Sequence, residues 1–364
     1  MTRVVGTLLT PDRTYWGQVE FTEHIEALCP LAPNASQPQR YVLPGFVDLH
    51  VHGGGGADCM AGEAAVRQMA RFHAQHGTAA LLATTVTAPL ADLEAALRGI
   101  AAVVNEPGPG EARVLGVHLE GPFISPQKLG AQPPYALEPS LEVMRNLLRQ
   151  APIKVVTLAP ELPGALELIR FLRAEGVRVQ QGHTLATYPQ SRAGFEAGAQ
   201  GFTHFFNAMT PLNHREPGVV GLGLERAEWA EVIPDGLHVH PAAIRSVCRS
   251  IFHTYAVTDA VAAAGMPDGQ YQLGLHRVYK TGSEVYLADG TLAGSVLTMD
   301  RAAQNLIRWG YTLQDVLRMT SSWPAQYLGI ASGLEVGRPA DLVVLDENFI
   351  LTEVYLAGRR IEPP

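Results

Sequence analysis

Only three cysteines occur in the 364 residues: Cys29, Cys59 and Cys248. They lie far apart with no Cys-x-x-Cys spacing, which excludes a disulfide framework and a thiolate zinc site and fits a reducing compartment. The chain also lacks an uninterrupted apolar run of the ~18 residues that a membrane helix needs. Its opening, Met1-Thr2-Arg3-Val4-Val5-Gly6, has no apolar core of a secretion signal. Basic charge is short too: 27 Lys and Arg stand against 35 Asp and Glu, a net charge of −8. Nucleic acid, which wants a basic face, is therefore not the expected partner. Together these absences predict a soluble cytoplasmic protein, and any anionic substrate must meet a locally positive site.

What is present is the make-up of a globular chain, 47% hydrophobic and 17% charged. Strand-like and helical stretches alternate through its middle, the pattern of a parallel sheet with crossover helices. Eight strands are expected: Phe46–Val51, Ala79–Val86, Arg113–Leu119, Ile153–Leu158, Val177–Gln181, Gly201–Thr203, Ala230–Ile233 and Thr254–Thr258. Eight is the count of a closed (β/α)8 TIM-like barrel, assigned to residues 44–334. Leu90, Leu93, Leu97, Ile100 and Val104 repeat at helical spacing between two of these strands, as do Leu141, Met144, Leu147 and Leu148 between the next two. Gln270–Thr291 reads as a hairpin inserted after the eighth strand, with Asp289-Gly290 as a turn. Residues 1–43, including the Pro-rich passage Pro30–Pro38, and residues 335–364 are short strands and turns. Neither end can form a stable core alone, so the two are expected to pair into one small β-sandwich domain.

On this map the metal-type side chains fall at strand ends. His50 and His52 end the first strand, Glu120 the third, His183 the fifth, His204 the sixth and Asp259 the eighth. Active sites of such barrels lie at that C-terminal rim, and six candidate ligands converging there is the main physical signal of the chain. Glu120 closes an apolar run, and burying a carboxylate unpaired costs several kcal/mol, so it needs a cation. His50-Val51-His52 places both imidazoles on one side of a strand, and the glycines 53–56 behind it let the backbone crowd close to a ligand. Imidazole nitrogen with carboxylate oxygen suits Zn²⁺, Fe²⁺ or a similar ion. Such an ion lowers the pKa of a bound water to about 7, and Asp259 is then the natural general base. His118 reads as core or as support for the ligands. His73 and His76, in the last turn of a helix stopped by Gly77, read as cations on the helix dipole.

Ten ordered segments, over most of the chain, resemble the N-acetylglucosamine-6-phosphate deacetylase family of the amidohydrolase superfamily. They include Pro44-Gly45-Phe46-Val47-Asp48-Leu49-His50-Val51-His52-Gly53, His118-Leu119-Glu120-Gly121-Pro122-Phe123 and Lys128-Leu129-Gly130-Ala131-Gln132. Gly182-His183-Thr184, Thr203-His204-Phe205-Phe206-Asn207-Ala208-Met209, Arg215-Glu216-Pro217-Gly218 and Asp235-Gly236-Leu237-His238-Val239 follow. Val257-Thr258-Asp259-Ala260, Ala264-Gly265-Met266-Pro267-Asp268-Gly269 and Leu292-Ala293-Gly294-Ser295-Val296-Leu297-Thr298-Met299 complete the set. The resemblance implies hydrolysis of the acetamide of N-acetyl-D-glucosamine 6-phosphate to glucosamine 6-phosphate and acetate, by metal-bound hydroxide. It implies Glu120, His183 and His204 as ligands of the principal ion and Asp259 as acid/base. Asn207, the Ala208 backbone, Arg215 and His238 would meet the sugar phosphate, with Arg215 reaching in from the second subunit of a homodimer.

The family varies at two of these places. Some members lack the His-x-His pair and use one ion; His50 and His52 here favour two ions per subunit over one. Gln132 stands where some members carry a histidine that polarises the substrate carbonyl; an amide can donate a hydrogen bond there but cannot titrate. The Pro- and Gly-rich loop Ser125–Tyr135 is a candidate lid. Two alternatives remain beside this reading. One is a deaminase or cyclic amidohydrolase, for which Lys154 on the fourth strand is the lysine to inspect as a carboxylated metal bridge. The other is a non-catalytic sugar-phosphate-binding barrel.

Overall fold

The computed structural model describes residues 1–32, 39–104 and 106–364, so residues 33–38 of the Pro-rich passage lie outside the described part. The barrel strands are β1 (Phe46–Val51), β2 (Thr78–Thr85), β3 (Arg113–Glu120), β4 (Ile153–Leu158), β5 (Arg178–Gln181), β6 (Gly201–Phe202), β7 (Trp229–Val232) and β8 (His253–Ala256). All eight expected strands are present, within one or two residues at their ends. A helix follows each: α1 (Glu63–Gln75), α2 (Leu90–Ala101), α3 (Leu141–Leu148), α4 (Ala165–Ala174), α5 (Tyr188–Ala197), α6 (Gly218–Arg226), α7 (Pro241–Ser250) and α8 (Met299–Arg308). Leu93, Leu97 and Ile100 are the buried face of α2, and Met144 and Leu147 that of α3, as their spacing predicts.

Strands β1 to β6 form one parallel sheet and β7 and β8 a second pair. Backbone hydrogen bonds close the two seams. Phe205 N donates to Glu231 O at 2.8 Å between β6 and β7; Asp259 N donates to His50 O and His52 N to Ala260 O, each at 2.9 Å, between β8 and β1. Asp48 fastens this last seam. Its carboxylate accepts from Thr258 Oγ1 at 2.6 Å, Thr258 N at 3.2 Å and His50 N at 3.3 Å. Burial nevertheless lifts its pKa to about 7 against those hydrogen bonds. Since His50 and Asp259 flank the seam, the barrel closes at two of its candidate metal ligands.

The two chain ends form one seven-stranded sheet, in the order Arg359–Ile361, Leu351–Leu356, Leu342–Leu345, Tyr41–Pro44, Thr2–Leu9, Thr14–Phe21, Ile25–Pro30. Alternation divides its faces: Tyr41, Leu43, Val343 and Leu345 join the barrel core, while Val42, Leu342 and Val344 close on a smaller core of their own. Phe21 and Tyr355 sit four strands apart, roughly 19 Å across a flat sheet at ~4.8 Å per strand. Their rings nevertheless touch, with centroids 5.1 Å apart. The sheet therefore folds over its apolar face, which makes it a sandwich built from a single ladder. The segment after β8 is a three-stranded sheet, Gly269–Leu273, His276–Thr281 and Glu284–Tyr286, one strand more than the expected hairpin. Asp289 and Gly290 form a turn just past its third strand, where Asp289 Oδ1 accepts from Thr291 N at 2.9 Å. No helix among the described residues is long and apolar enough to cross a membrane.

Candidate active site

The six strand-end side chains meet. Glu120 Oε1 lies 3.1 Å from His183 Nε2, 3.0 Å from His204 Nε2 and 3.6 Å from His50 Nε2. Its Oε2 lies 3.4 Å from His52 Nε2, and Asp259 Oδ1 is 3.1 Å from His52 Nε2 and 3.5 Å from His50 Nε2. Glu120 thus stands between two triads, Glu120/His183/His204 and His50/His52/Asp259, each compact enough to hold one ion. All six are buried.

The outer nitrogens show that these groups are arranged for a cation. His183 Nδ1 is 2.8 Å from Lys128 O, His52 Nδ1 2.9 Å from Thr84 O and His50 Nδ1 3.0 Å from Glu231 Oε2. A carbonyl or carboxylate oxygen can only accept, so each Nδ1 carries the hydrogen and each neutral ring turns an Nε2 lone pair inward. Inside, lone pairs face carboxylate oxygens, and His50 Nε2 lies 3.2 Å from His52 Nε2 with His183 Nε2 3.1 Å from His204 Nε2. The fourth ring, His204, has no partner at Nδ1, and a positive charge between the inner nitrogens relieves the repulsion. With protons alone to supply it, burial depresses the His52 pKa, but hydrogen bonds to Asp259 and Glu120 override this and raise it to about 9. Burial likewise opposes ionisation of Asp259, yet the charge of His50 and the hydrogen bond of His52 bring it to about 2.

Local backbone strain marks the same place. Among the described residues seven non-glycine residues have positive φ, and five are His183, His204, Phe206, Ala208 and Asp259. Such conformations cost on the order of 1–3 kcal/mol each and persist where surrounding packing imposes them. Gly182 shows that packing: a Cβ there would lie 2.8 Å from Thr157 and 2.9 Å from Thr203.

A cavity of about 360 Å³ opens over the triads, lined by His52, Glu120, His183, His204 and Asp259 together with Gln132, Asn207, Ala208 and His238. His238 Nδ1 bonds Asp235 Oδ2 at 2.6 Å; burial lowers its pKa, but the Asp235 carboxylate more than offsets this, so the net shift is upward. Gln132 is held at both ends, its Oε1 accepting from Thr87 N at 2.7 Å and its Nε2 donating to Glu120 Oε2. Arg215 is exposed and does not line the cavity of its own chain.

Several expectations change. The glycines 53–56 do not approach the cavity. Gly53 would place a Cβ 2.6 Å from Ala262 N, and Gly54 one 2.4 Å from Phe72, so their smallness serves the packing of β1 against the β8 loop and α1. His73 is not a cation on the helix dipole: it is buried, bonds Gly53 O at 2.9 Å, and burial lowers its pKa to about 4. The Ser125–Tyr135 loop, still a candidate lid, meets the site through Ser125 N to His183 O, Lys128 O to His183 and Gln132 to Glu120. Lys154 is exposed, so it is not a carboxylated bridge in this site.

Glu231, on β7, is absent from the sequence reading. It is fully buried, and its Oε2 also accepts from His204 N at 3.2 Å while Oε1 accepts from Tyr255 OH at 3.3 Å. Burial works against its ionisation, but the hydrogen bond and charge of His50 hold its pKa below the usual value. Its one sequence signal is a carboxylate within the apolar stretch Trp229-Ala230-Glu231-Val232-Ile233.

A family model described as the amidohydrolase family matches residues 41–361. The chain belongs to the amidohydrolase family. Among its relatives, the N-acetylgalactosamine-6-phosphate deacetylase of Escherichia coli O157:H7 is 42% identical over 346 residues, 92% of either chain. The N-acetylglucosamine-6-phosphate deacetylase of Vibrio furnissii is 40% identical, covering 88% of this chain and 82% of its own. A mutant Mycobacterium smegmatis N-acetyl-D-glucosamine-6-phosphate deacetylase, solved in complex with N-acetyl-D-glucosamine-6-phosphate, superposes with a TM-score of 0.92 at 35% identity, covering 98% of both chains.

Replacing a carboxylate that orients a ligating histidine weakens metal affinity by ~10- to 100-fold. Glu231→Gln is therefore expected to lose divalent ions to a competing chelator by about that factor with its circular dichroism unchanged. Equal retention in both proteins would detach Glu231 from the site.

Proposed function

We propose that the chain hydrolyses the acetamide of N-acetyl-D-glucosamine 6-phosphate to D-glucosamine 6-phosphate and acetate. The observation that carries this is a buried cation cradle of four imidazoles and two carboxylates at the floor of a sugar-sized cavity, in a chain whose relatives are amino-sugar-phosphate deacetylases. Glu120, His183 and His204 would hold the principal divalent ion, Zn²⁺ or Fe²⁺, and His50 and His52 with Asp259 a second. When bound, such an ion supplies an activated water and a Lewis acid for the carbonyl oxygen.

The chain's residues supply the rest. Asp259 accepts a proton from the attacking water and delivers it to the amide nitrogen as the C–N bond breaks. The water oxygen stays on the acyl carbon, acetate departs, and the amine leaves on the sugar. His238, its charge favoured by Asp235, and Asn207 with the Ala208 backbone form the polar wall for the sugar phosphate. Gln132 has one N–H left beyond Glu120 to offer the substrate. Arg215, exposed in its own chain, completes the phosphate contact in a second copy of a homodimer, where its planar fork suits a phosphate. Cyclic-amide or deaminase chemistry would leave that phosphate machinery without a task.

Acetate release measured with and without a chelator tests the reading; release that ignores the chelator, or no release from N-acetylated hexosamine 6-phosphates of either C4 configuration, contradicts it. Asp259→Asn should retain substrate binding and lose turnover on the order of 10²- to 10⁴-fold, whereas unchanged turnover would remove Asp259 from the mechanism. Arg215→Ala should raise KM for the phosphorylated sugar by roughly 10- to 100-fold, the worth of hydrogen bonds to a charged group, and barely change it for the unphosphorylated sugar. Equal effects on the two sugars would undo the phosphate assignment.

A further inference from the structure

The cavity's two sides differ in chemistry. Asn207, Ala208 and His238 follow β6 and β7, whereas the opposite side is apolar: Val86, just after β2, with Leu273 and Leu292 from the inserted segment and Ala131 beside Gln132. In a closed eight-stranded barrel β2 and β6 are four strands apart, which is diametrically opposed. Val86 and Leu273 are almost fully buried and share a separate apolar cluster with Val261, Val278, Val285 and Ala293. The inserted sheet is thus packed as a wall and not draped over the opening.

Its tip is fastened. Gly274 N donates to Asp58 Oδ2 at 2.6 Å, and Asp58 belongs to the buried loop after β1. Gly274 has φ +54°, and a Cβ there would lie 2.4 Å from Val86 Cγ2. The hairpin is pressed on Val86 as closely as backbone allows, and Leu273 is held at the cavity edge. Close-packed interiors do not yield by a methylene without cost, so this wall sets a fixed length.

A secondary amide is planar and trans, so its acyl chain and its N-substituent leave the carbonyl in opposite directions. With the carbonyl over the ligand cluster and the sugar phosphate toward His238, the acyl chain runs to the far side. We infer that Val86, Leu273 and Leu292 form the acyl subsite, which receives the N-acetyl methyl and limits the enzyme to short N-acyl groups. This rests on the amide-hydrolase reading above. Thr291, beside Leu292, and Gln132, beside Ala131, are the polar neighbours of that wall, and Val86, Leu273 and Leu292 themselves offer no hydrogen bond, so their selection is by length.

The test compares kcat/KM for N-acetyl-, N-propionyl- and N-butyryl-glucosamine 6-phosphate in the wild type, Leu273→Ala and Leu292→Ala, the latter at a half-buried position and so milder for folding. Thermal melting serves as the check on folding. One methylene against an apolar pocket is worth on the order of 10- to 200-fold. The wild type should prefer acetyl by about that factor per added methylene, and each variant should shift the butyryl-to-acetyl ratio by about 10-fold or more. Inhibition by glucosamine 6-phosphate, which has no acyl group, should stay the same. A ratio unmoved in both folded variants overturns the subsite, as does a ratio that moves only together with the product's inhibition constant. A wild type that cleaves none of the three amides and no N-acetylgalactosamine 6-phosphate overturns the hydrolase reading and the subsite with it.

Discussion

Everything at this site depends on an electrostatic mismatch that the chain alone does not resolve. A buried carboxylate, Glu120, is enclosed by imidazoles whose outer nitrogens already donate to Lys128 O, Thr84 O and Glu231. The inner nitrogens of those rings are lone pairs directed at carboxylate oxygens 3.1 to 3.6 Å away. Lone pair against lone pair in a water-poor pocket is repulsive. Protons can relieve it, at the cost of charging buried histidines; a divalent ion relieves it without doing so. The chemistry of the cavity is thus a consequence of how hydrogen bonds outside the ligand ring dictate tautomers within it.

The fold makes this mismatch possible. Parallel strands deliver His50, Glu120, His183, His204 and Asp259 to one rim, and three of the five enter the left-handed region just past their strands, turning side chains inward that a continuing strand would aim elsewhere. The closing seam between β8 and β1 runs through the candidate ligands, with Asp259 N bonded to His50 O and Asp48 bridging to Thr258. The same hydrogen bonds close the barrel and fix the positions of His50 and Asp259. The terminal sheet contributes Tyr41, Leu43, Val343 and Leu345 to the barrel core and leads through Gly45 directly into β1, so the first ligand strand is anchored from both sides.

Much of this was legible in the linear chain. Apolar runs marked all eight barrel strands to within a residue or two, five of them ending in His, Glu or Asp, because a strand buried on both faces reads as a continuous apolar stretch. The six rim side chains were legible for the same reason: each is a polar group at the end of such a run. The pairing of the two termini followed from neither end being able to bury a face alone. Other features turned on distant contacts with no local trace. Glu231 is one carboxylate in an apolar strand, and only its approach to His50 gives it meaning. Gly53 to Gly56 suggested room for a ligand but make room for Phe72 and the backbone of Ala262. His73 has the sequence context of a helix-end cation, yet full burial keeps it neutral despite its hydrogen bond to Gly53 O. Arg215 can be read as a phosphate ligand only if a second chain is present.

The central claim, that a cation occupies the gap around Glu120, is tested most directly by diffraction at a metal absorption edge on crystals grown with Zn²⁺ or Fe²⁺. The account predicts an anomalous peak within about 2.0–2.2 Å of Glu120 Oε1, His183 Nε2 and His204 Nε2. Crystals of active protein with no peak there, and with those three side chains still in mutual contact, would contradict it.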